Sequence, residues 1–324
     1  MPLRRVAIVG AGLAGLACAR TLAAHDIQVR VFDKARTAGG RLATRRVEHD
    51  GHVYAFDHGA QYLTARGALF RALLDAAGAR TWPQEGRRVG VPRMSAIAGG
   101  LAEGMDLQPS REVIAIEGQQ RAWHLRHVPP RRPGLPPPED ERAELSGPFD
   151  AVALAIPAPQ ASDLLARTAP HLARVLDMVR MAPCWTLMAA FPQKLDLSDT
   201  NRLPGGPIAW AARDSSKPGR DAGAECWVVQ AGPEWSRANL ELHPREAQAA
   251  LLDAFAALAG GKLPTPAFAA AHRWRHALVE TPLGAPCLWE PSRGLGAAGD
   301  WCIAARAEAA VESGAALGAL IASA

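Results

Sequence analysis

A chain of 324 residues, 48% of them hydrophobic and 21% charged, can bury a sizeable core and is long enough for two joined domains. A formal net charge of +4, with arginine far exceeding lysine and no basic run interleaved with aromatics, argues against nucleic acid as a partner. The arginines read as a solvated surface, with some available to an anionic substrate. Five widely spaced cysteines (Cys18, Cys184, Cys226, Cys287, Cys302) form no C-x-x-C pair. Neither a metal site nor a disulfide framework is therefore expected, and such cysteine usage suits a reducing cytoplasm.

The chain opens on an apolar run, Val6-Ala7-Ile8-Val9, followed without a gap by Gly10-Ala11-Gly12-Leu13-Ala14-Gly15 and by helical sequence through Leu22. Strand, glycine turn and helix start are what a dinucleotide site needs. Gly10 allows the tight turn, Gly12 lets backbone approach a pyrophosphate, and Gly15 lets helix and strand pack closely. A second strand, Gln28-Val29-Arg30-Val31-Phe32, ends in Asp33, where an acid would bond a ribose hydroxyl. The glycine motif begins so early that no signal peptide is expected, and a cytoplasmic location follows as an expectation. A loop with two adjacent glycines and three cations spans residues 34–41.

Further on, a helix is expected at 67–79 and another entering at Met94-Ser95-Ala96-Ile97, with Ser95 as its N-cap. Strands at 111–117 and 122–128 should pair around Gly118. Residues 129–148, rich in Pro, Arg and Glu, read as an exposed loop, and 149–156 as a buried strand. From 169 to 266 the character changes. Strands are expected at 186–191, 208–212 and 226–231. A helical region at 236–259 should be capped by Ser236 and interrupted at Pro244. A return strand at 272–277, a short strand end at 302–304 and a terminal helix at 307–321 complete the chain. The apolar stretch 309–324 contains Glu312 and is too short to span a membrane.

The fold class expected is α/β: a Rossmann-like domain from 1–66, 97–168 and 272–324, and a second mixed α+β substrate domain on an antiparallel sheet from 67–96 and 169–271. No internal repeat is visible.

Gly39-Gly40-Arg41 soon after Asp33, and Gly299-Asp300 before the last helix, resemble the FAD-binding fold of the flavin amine oxidase superfamily. Within it, the chain most resembles bacterial renalase-like flavoproteins. The residues carrying this resemblance are Asp57-His58-Gly59-Ala60-Gln61-Tyr62-Leu63-Thr64-Ala65-Arg66, Met94-Ser95-Ala96-Ile97 and Pro157-Ala158-Pro159-Gln160-Ala161. Ser216-Lys217-Pro218-Gly219-Arg220-Asp221, Trp235-Ser236-Arg237, His272-Arg273-Trp274 and Gly299-Asp300-Trp301-Cys302 extend it over nearly the whole chain.

The resemblance implies non-covalently bound FAD held by Gly10, Gly12, Leu13, Ala14 and Gly15 at the pyrophosphate and by Asp33 at the adenosine ribose. Lys34 and Gly40 would also line the cofactor site, and Arg41 would meet phosphate or ribityl oxygens. Val113 would bond adenine through its backbone; simple strand packing is the other use of that position. Gln61 and Tyr62 would lie beside the flavin. Gly299 and Asp300 would face the ribityl chain. The last helix, through Glu308 and Ala309, would aim its N-terminal N–H groups at flavin O2, while Glu308 and Glu312 serve the helix end or a solvated face. His272 and Trp274, on alternate strand positions, would share one face in the substrate pocket, with Tyr62 beside the flavin. Arg213, Lys217 and Arg220 either grip a dinucleotide's phosphates or form a solvated loop.

The implied activity is oxidation of aberrant dihydro-isomers of NAD(P)H to NAD(P)+, with O2 reduced to peroxide. No enzymic base is needed, because a dihydropyridine that loses hydride becomes an aromatic cation. The implied partners are therefore a dihydropyridine dinucleotide and O2, with no nucleic acid and no membrane. Residues 82–89 are short against that family, Arg93 stands where a small residue is usual, and 305–310 lacks the usual glycines. A flavin oxidase of a small amine, and a non-catalytic FAD-binding protein, are the alternatives.

Overall fold

The computed structural model describes residues 3–119, 121–130, 143–221 and 223–324. The chain divides into two compact units, one of residues 1–40, 98–180 and 279–324, the other of 41–97 and 181–278.

In the first unit, four strands run parallel in the spatial order Leu295–Ala297, Ala151–Leu154, Arg5–Val9, Gln28–Asp33, with Asp106–Pro109 parallel beyond them. Leu288–Glu290 adds an antiparallel edge. Val6 to Val9 and Ala151 to Leu154 are all buried, as strands covered on both faces must be, which explains their unbroken apolar runs. The helices Leu13–Ala23 and Ala307–Ala322 cross closely because two glycines leave room: a Cβ on Gly314 would lie 2.0 Å from the Ala14 carbonyl oxygen. Glu112–Gln119, Ala122–Val128 and Glu144–Phe149 form a separate antiparallel meander.

In the second unit, a five-stranded sheet has the order Thr200–Arg202, Ile208–Arg213, Glu225–Ala231, Arg180–Phe191, Phe268–Thr281, antiparallel across its first four strands. Alternation sorts its side chains. Trp185, Leu187, Trp227 and Val229 face Leu251 and Phe255 of the helix Pro244–Leu258. Met188, Ala190 and Val228 face the other way, onto Tyr54 and Phe56. Those aromatics come from the hairpin Thr44–His49/His52–Asp57.

That packing alters the expected partition. Residues 41–66, assigned from sequence to the nucleotide domain, belong to the second unit because Tyr54 and Phe56 bury against its sheet. Residues 272–278 join it as part of the edge strand. Residues 169–180, with the helix Pro170–Leu176, belong to the first unit.

Local differences also have physical reasons. The helical region at 236–259 is two helices, Pro233–Ala238 and Pro244–Leu258. Proline opens the second at its first turn, where no N–H is needed. His243 caps it: its Nδ1 accepts from Arg245 N–H while its own N–H donates to Glu246. Ser236 is no cap; its Oγ accepts the Trp185 N–H at 3.1 Å. Ser95 is the first residue of the helix Ser95–Ala102 rather than its cap. The strand end expected at 302–304 is a 3-10 turn, Asp300–Cys302. Of the loop expected at 129–148, residues 131–142 lie outside the described residues, and Glu144–Phe149 is a strand at the edge of the meander. Pro148 falls where its register shifts, so the missing N–H costs no ladder bond. No helix among the described residues is long and apolar enough to cross a membrane.

Candidate functional site

The glycine turn leaves the tip of Arg5–Val9. Gly10 adopts φ +106°, and a Cβ there would sit 2.4 Å from the Ala155 carbonyl oxygen. A Cβ on Gly15 would fall 1.9 Å from the Gly10 oxygen. These two glycines are required by protein packing. Gly12 differs, because a Cβ there would meet no protein atom within 4 Å. Gly12 is also the N-cap of the helix Leu13–Ala23, and no side chain caps that helix. The N–H groups of Leu13, Ala14 and Gly15 thus have no acceptor within the helix, at its positive end. A Cβ on Gly40, in the next loop, would lie 3.3 Å from the Gly12 Cα.

Asp33 ends the neighbouring parallel strand. Its Oδ2 accepts the Ala11 N–H at 2.6 Å and its Oδ1 the Ala35 N–H at 2.7 Å, so the carboxyl fastens both loops. Burial pushes its pKa up against those bonds. Each oxygen keeps a lone pair for a ligand hydroxyl. Lys34 follows in the same loop. Val113 lies in the strand that starts beyond Arg111, whose N–H donates to the Asp33 carbonyl, and a register shift follows it. Gly299 and Asp300 follow the strand Leu295–Ala297, so they too sit at the carboxyl end of the parallel sheet. The Gly299 N–H donates to Ser313 Oγ at 3.0 Å. Glu308 is buried in the first turn of the last helix, 3.8 Å from Arg306, with Ala309 buried beside it. The expected solvated face therefore applies to Glu312 and not to Glu308.

The remaining expected residues lie in the second unit. After the strand His52–Asp57, the chain runs across the face of the five-stranded sheet opposite the helix Pro244–Leu258. Trp274 Nε1 donates to the His58 carbonyl (3.1 Å), Gln230 Nε2 to the Gly59 carbonyl (2.7 Å), and the Tyr62 ring lies 5.7 Å from Trp210. Gln61 pins this crossing loop, with Nε2 donating to the carbonyls of Asp57 (2.5 Å) and Gly59 (3.1 Å). Arg41 Nη1 donates to the Ala277 carbonyl.

His272 and Trp274 do share a face, as alternation required. Their rings are 4.6 Å apart, and both touch the His58 ring, at 4.9 and 5.0 Å. Burial, with Arg45 nearby, lowers the His58 pKa to about 4. Burial and the His58 neighbour lower that of His272 to about 3. The cluster is a neutral, aromatic-walled group at pH 7, and sequence reasoning missed His58 as its third member.

Arg213, Lys217 and Arg220 neither grip a ligand nor form a solvated loop; all three are buried and internally paired. The Lys217 ammonium has no exposed surface and donates to Asp214 Oδ1 (2.5 Å), Asp57 Oδ2 (3.3 Å) and Gln61 Oε1 (3.4 Å). Three donors thus meet three acceptors. Arg220 also bonds Asp57 Oδ2, and it donates to the Gly90 carbonyl at 2.6 Å. Burial opposes charge on Asp57, but Lys217 and Arg220 outweigh it and bring its pKa down to about 2. Complete burial pushes that of Asp214 up. Arg213 is used up by Asp199, Glu225 and the carbonyls of Leu195 and Leu197. The one sequence signal for this cluster was the acid–base spacing Asp214/Lys217; the other acid, Asp57, is remote in sequence.

With this geometry in view, comparisons with known proteins are informative. Residues 8–77 match the NAD(P)-binding Rossmann-like domain family. The chain is 40% identical over 77 residues to the mitochondrial protoporphyrinogen oxidase of Nicotiana tabacum. That match covers 24% of this chain and 14% of the tobacco protein. A hydroxyneurosporene desaturase from Rubrivivax gelatinosus is 45% identical over 80 residues, with the same 24% and 14% shares. Two solved structures align over 99% of both chains at 14% identity. One is a protein described as a protoporphyrinogen oxidase from Exiguobacterium sp. 255-15 (TM-score 0.73), the other a putrescine oxidase with putrescine bound (TM-score 0.69). The fold is shared with these proteins. These two relatives match 24% of this chain, and at 14% identity the structural likeness speaks for architecture alone.

Proposed function

We propose that this chain is an FAD-dependent oxidase of dihydro-isomers of NAD(P)H, which it returns to NAD(P)+. The observation that carries the cofactor half is the open space at Gly12 before an uncapped helix, with Asp33 at the next strand tip. Gly10 and Gly15 are fixed by the fold, while a Cβ at Gly12 would meet no protein atom within 4 Å. That is the arrangement a pyrophosphate would complete. Gly10, Gly12, Leu13, Ala14 and Gly15 would hold the phosphates and Asp33 a ribose. Lys34, Gly40, Arg41, Gln61, Tyr62, Val113, Gly299, Asp300, Glu308 and Ala309 are proposed as further cofactor contacts, as the renalase-like resemblance implies. When bound, FAD supplies the hydride acceptor and passes the electron pair to O2, releasing peroxide.

The substrate half rests on chemistry the protein does not have to perform. Loss of hydride from a dihydropyridine leaves an aromatic cation, so no proton need be removed. The His58–His272–Trp274 group supplies flat, neutral walls suited to orienting such a ring. Asp57, Asp214, Lys217 and Arg220, beside the crossing loop, are locked in ion pairs, so they are not poised as a catalytic acid and base. The same pairing speaks against the amine alternative. Asp57 and Asp214 are engaged by Lys217 and Arg220, and Tyr62 carries a guanidinium on its ring, which repels an ammonium substrate.

Aerobic turnover tests the reading. The yellow protein incubated with 2-, 4- and 6-dihydro-NAD(P) should convert the 2- or 6-isomer to NAD(P)+ with one peroxide formed per product. Failure to form NAD(P)+ from any isomer would overturn it.

A further inference from the structure

The crossing loop ends at Tyr62, and the charges around this side chain are unlike those elsewhere in the second unit. The Arg87 guanidinium carbon lies 4.4 Å from the centroid of the Tyr62 ring. Arg202 Nη2 donates to Tyr62 Oη at 3.2 Å, and its guanidinium carbon is 5.7 Å from the centroid of the Trp210 ring. Trp210 is only 7% exposed, yet its indole Nε1–H has no acceptor. No carboxylate among the described residues pairs with Arg87 or Arg202. The neighbouring arginines differ: Arg88 has Asp75, Arg213 has Asp199 and Glu225, and Arg275 has Glu241.

Two guanidinium groups on one tyrosine repel each other, and no acid among the described residues compensates them. Stacking against a ring face leaves the N–H edge of a guanidinium available, in a fork that matches phosphate oxygens. Arg202 and the phenol oxygen it bonds lie beside an indole whose donor is unused. The group is rich in donors and carries uncompensated positive charge.

Its place in the sheet narrows the ligand. Arg202 and Trp210 are register partners on the first two strands. His272 and Trp274 lie on the last strand, at the opposite edge. Four strand spacings separate the edges, roughly 19 Å at ~4.8 Å per strand. The loop from His58, against Trp274, to Tyr62, against Trp210, crosses three of those spacings, roughly 14 Å, on one face. A small amine or a lone dihydropyridine ring touches one end of this path; a dinucleotide, with its phosphates well away from the reacting ring, reaches along it.

We infer that Tyr62, Arg87, Arg202 and Trp210 form a subsite for the phosphates of a dinucleotide substrate, which assigns Tyr62 to the substrate and not to the flavin. The inference rests on the oxidase reading for what lies at the other end. It replaces Arg213, Lys217 and Arg220 as the phosphate grip, since those cations are occupied internally.

Calorimetric titration of the FAD-loaded protein with ADP-ribose, adenosine and inorganic pyrophosphate tests it. Native protein should bind ADP-ribose, and R87Q/R202Q should bind it at least tenfold more weakly. Adenosine should bind native protein and the double variant alike. A charge-matched control, K194Q/R245Q, removes two exposed cations elsewhere and should bind ADP-ribose as native protein does. Thermal unfolding checks that the variants are folded, and R202Q alone serves if the double variant is not.

Absence of ADP-ribose binding to native protein, or a loss of less than tenfold in folded R87Q/R202Q, would overturn the subsite. Pyrophosphate binding as tight as ADP-ribose would overturn its assignment to a dinucleotide. If arginine-dependent ADP-ribose binding holds while no dihydro-isomer is oxidised, the oxidase reading fails and the subsite stands.

Discussion

The glycine turn of the first unit and the buried ion cluster of the second are both built from polar groups, but they are completed differently. At the turn, the helix N-terminus has no cap, Gly12 faces open space, and Asp33 keeps lone pairs to offer. In the cluster, the Lys217 ammonium has an acceptor for each proton, and Asp57 takes bonds from Thr44, Met94, Lys217 and Arg220. Groups left incomplete by the protein mark a place for a ligand. Groups that complete one another hold the fold, here by tying the loop at 57–61 to the turn at 214–220 and to the segment at 90–94. Cation-rich sequence is therefore a poor guide to ligand binding until each cation's partner is known.

Substitutions on either side of this contrast separate the two kinds of polar group. The largest effect should come from Lys217→Met, which strands Asp214 and Asp57 without their shared partner. Breaking a buried pair on one side costs about 3–5 kcal/mol, so denaturant unfolding should show a loss of that order. The double change K217M/D214L should recover most of it. If K217M alone is neutral, the cluster does not hold the second unit together.

Gly15→Val tests the closed part of the turn. Its Cβ would lie 1.9 Å from a backbone oxygen that cannot move cheaply. A loss of about 3 kcal/mol is expected, visible as a lowered melting temperature even without cofactor.

Acid provides a third test. His58 and His272 have pKa values lowered to about 4 and about 3 in the folded protein, below the ordinary value near 6.5. The unfolded chain therefore binds protons first as pH falls. The stability these rings contribute is complete above pH 6.5 and is lost between there and about pH 4 to 3. For His58 the loss is on the order of 3 kcal/mol. His58→Phe should flatten the fall in melting temperature over that window; an unchanged slope would contradict it. Asp57, held near 2, adds a further loss only below about pH 4.

Gly12→Ala should have the smallest effect on the fold. Its added methyl meets no protein atom, so unfolding should stay within about 0.5 kcal/mol of native, while FAD affinity falls by roughly tenfold, about 1.4 kcal/mol. Equal FAD affinity would mean that the open space is not where the pyrophosphate lies.

How much was legible in the sequence follows from how far apart the interacting residues are. The nucleotide fold is written in short stretches: an apolar run, three spaced glycines, and an acid at the next strand end. Each needs only its neighbours, so Gly10, Gly15 and Asp33 stand where the motif puts them. The shared face of His272 and Trp274 was likewise readable from strand alternation. The ion cluster was not, because Asp57 lies more than 150 residues from Asp214 and Lys217. A Ser-Lys-Pro-Gly-Arg stretch looks like solvated turn until the acid that buries it is found. The hairpin at 44–57 was placed in the wrong domain for the same reason, since only the sheet it covers explains the burial of Tyr54 and Phe56. Arg87 and Arg202 carried no local signal at all. What distinguishes them is the lack of an acid partner, and that is visible only in three dimensions.

If this protein takes hydride from a dihydropyridine dinucleotide, a single anaerobic turnover will show it. With oxygen excluded, the flavin absorbance should bleach fastest with 2- or 6-dihydro-NAD(P), more slowly with ordinary NAD(P)H, and not with amines. Bleaching by amines alone, or by none of these compounds, would contradict the account.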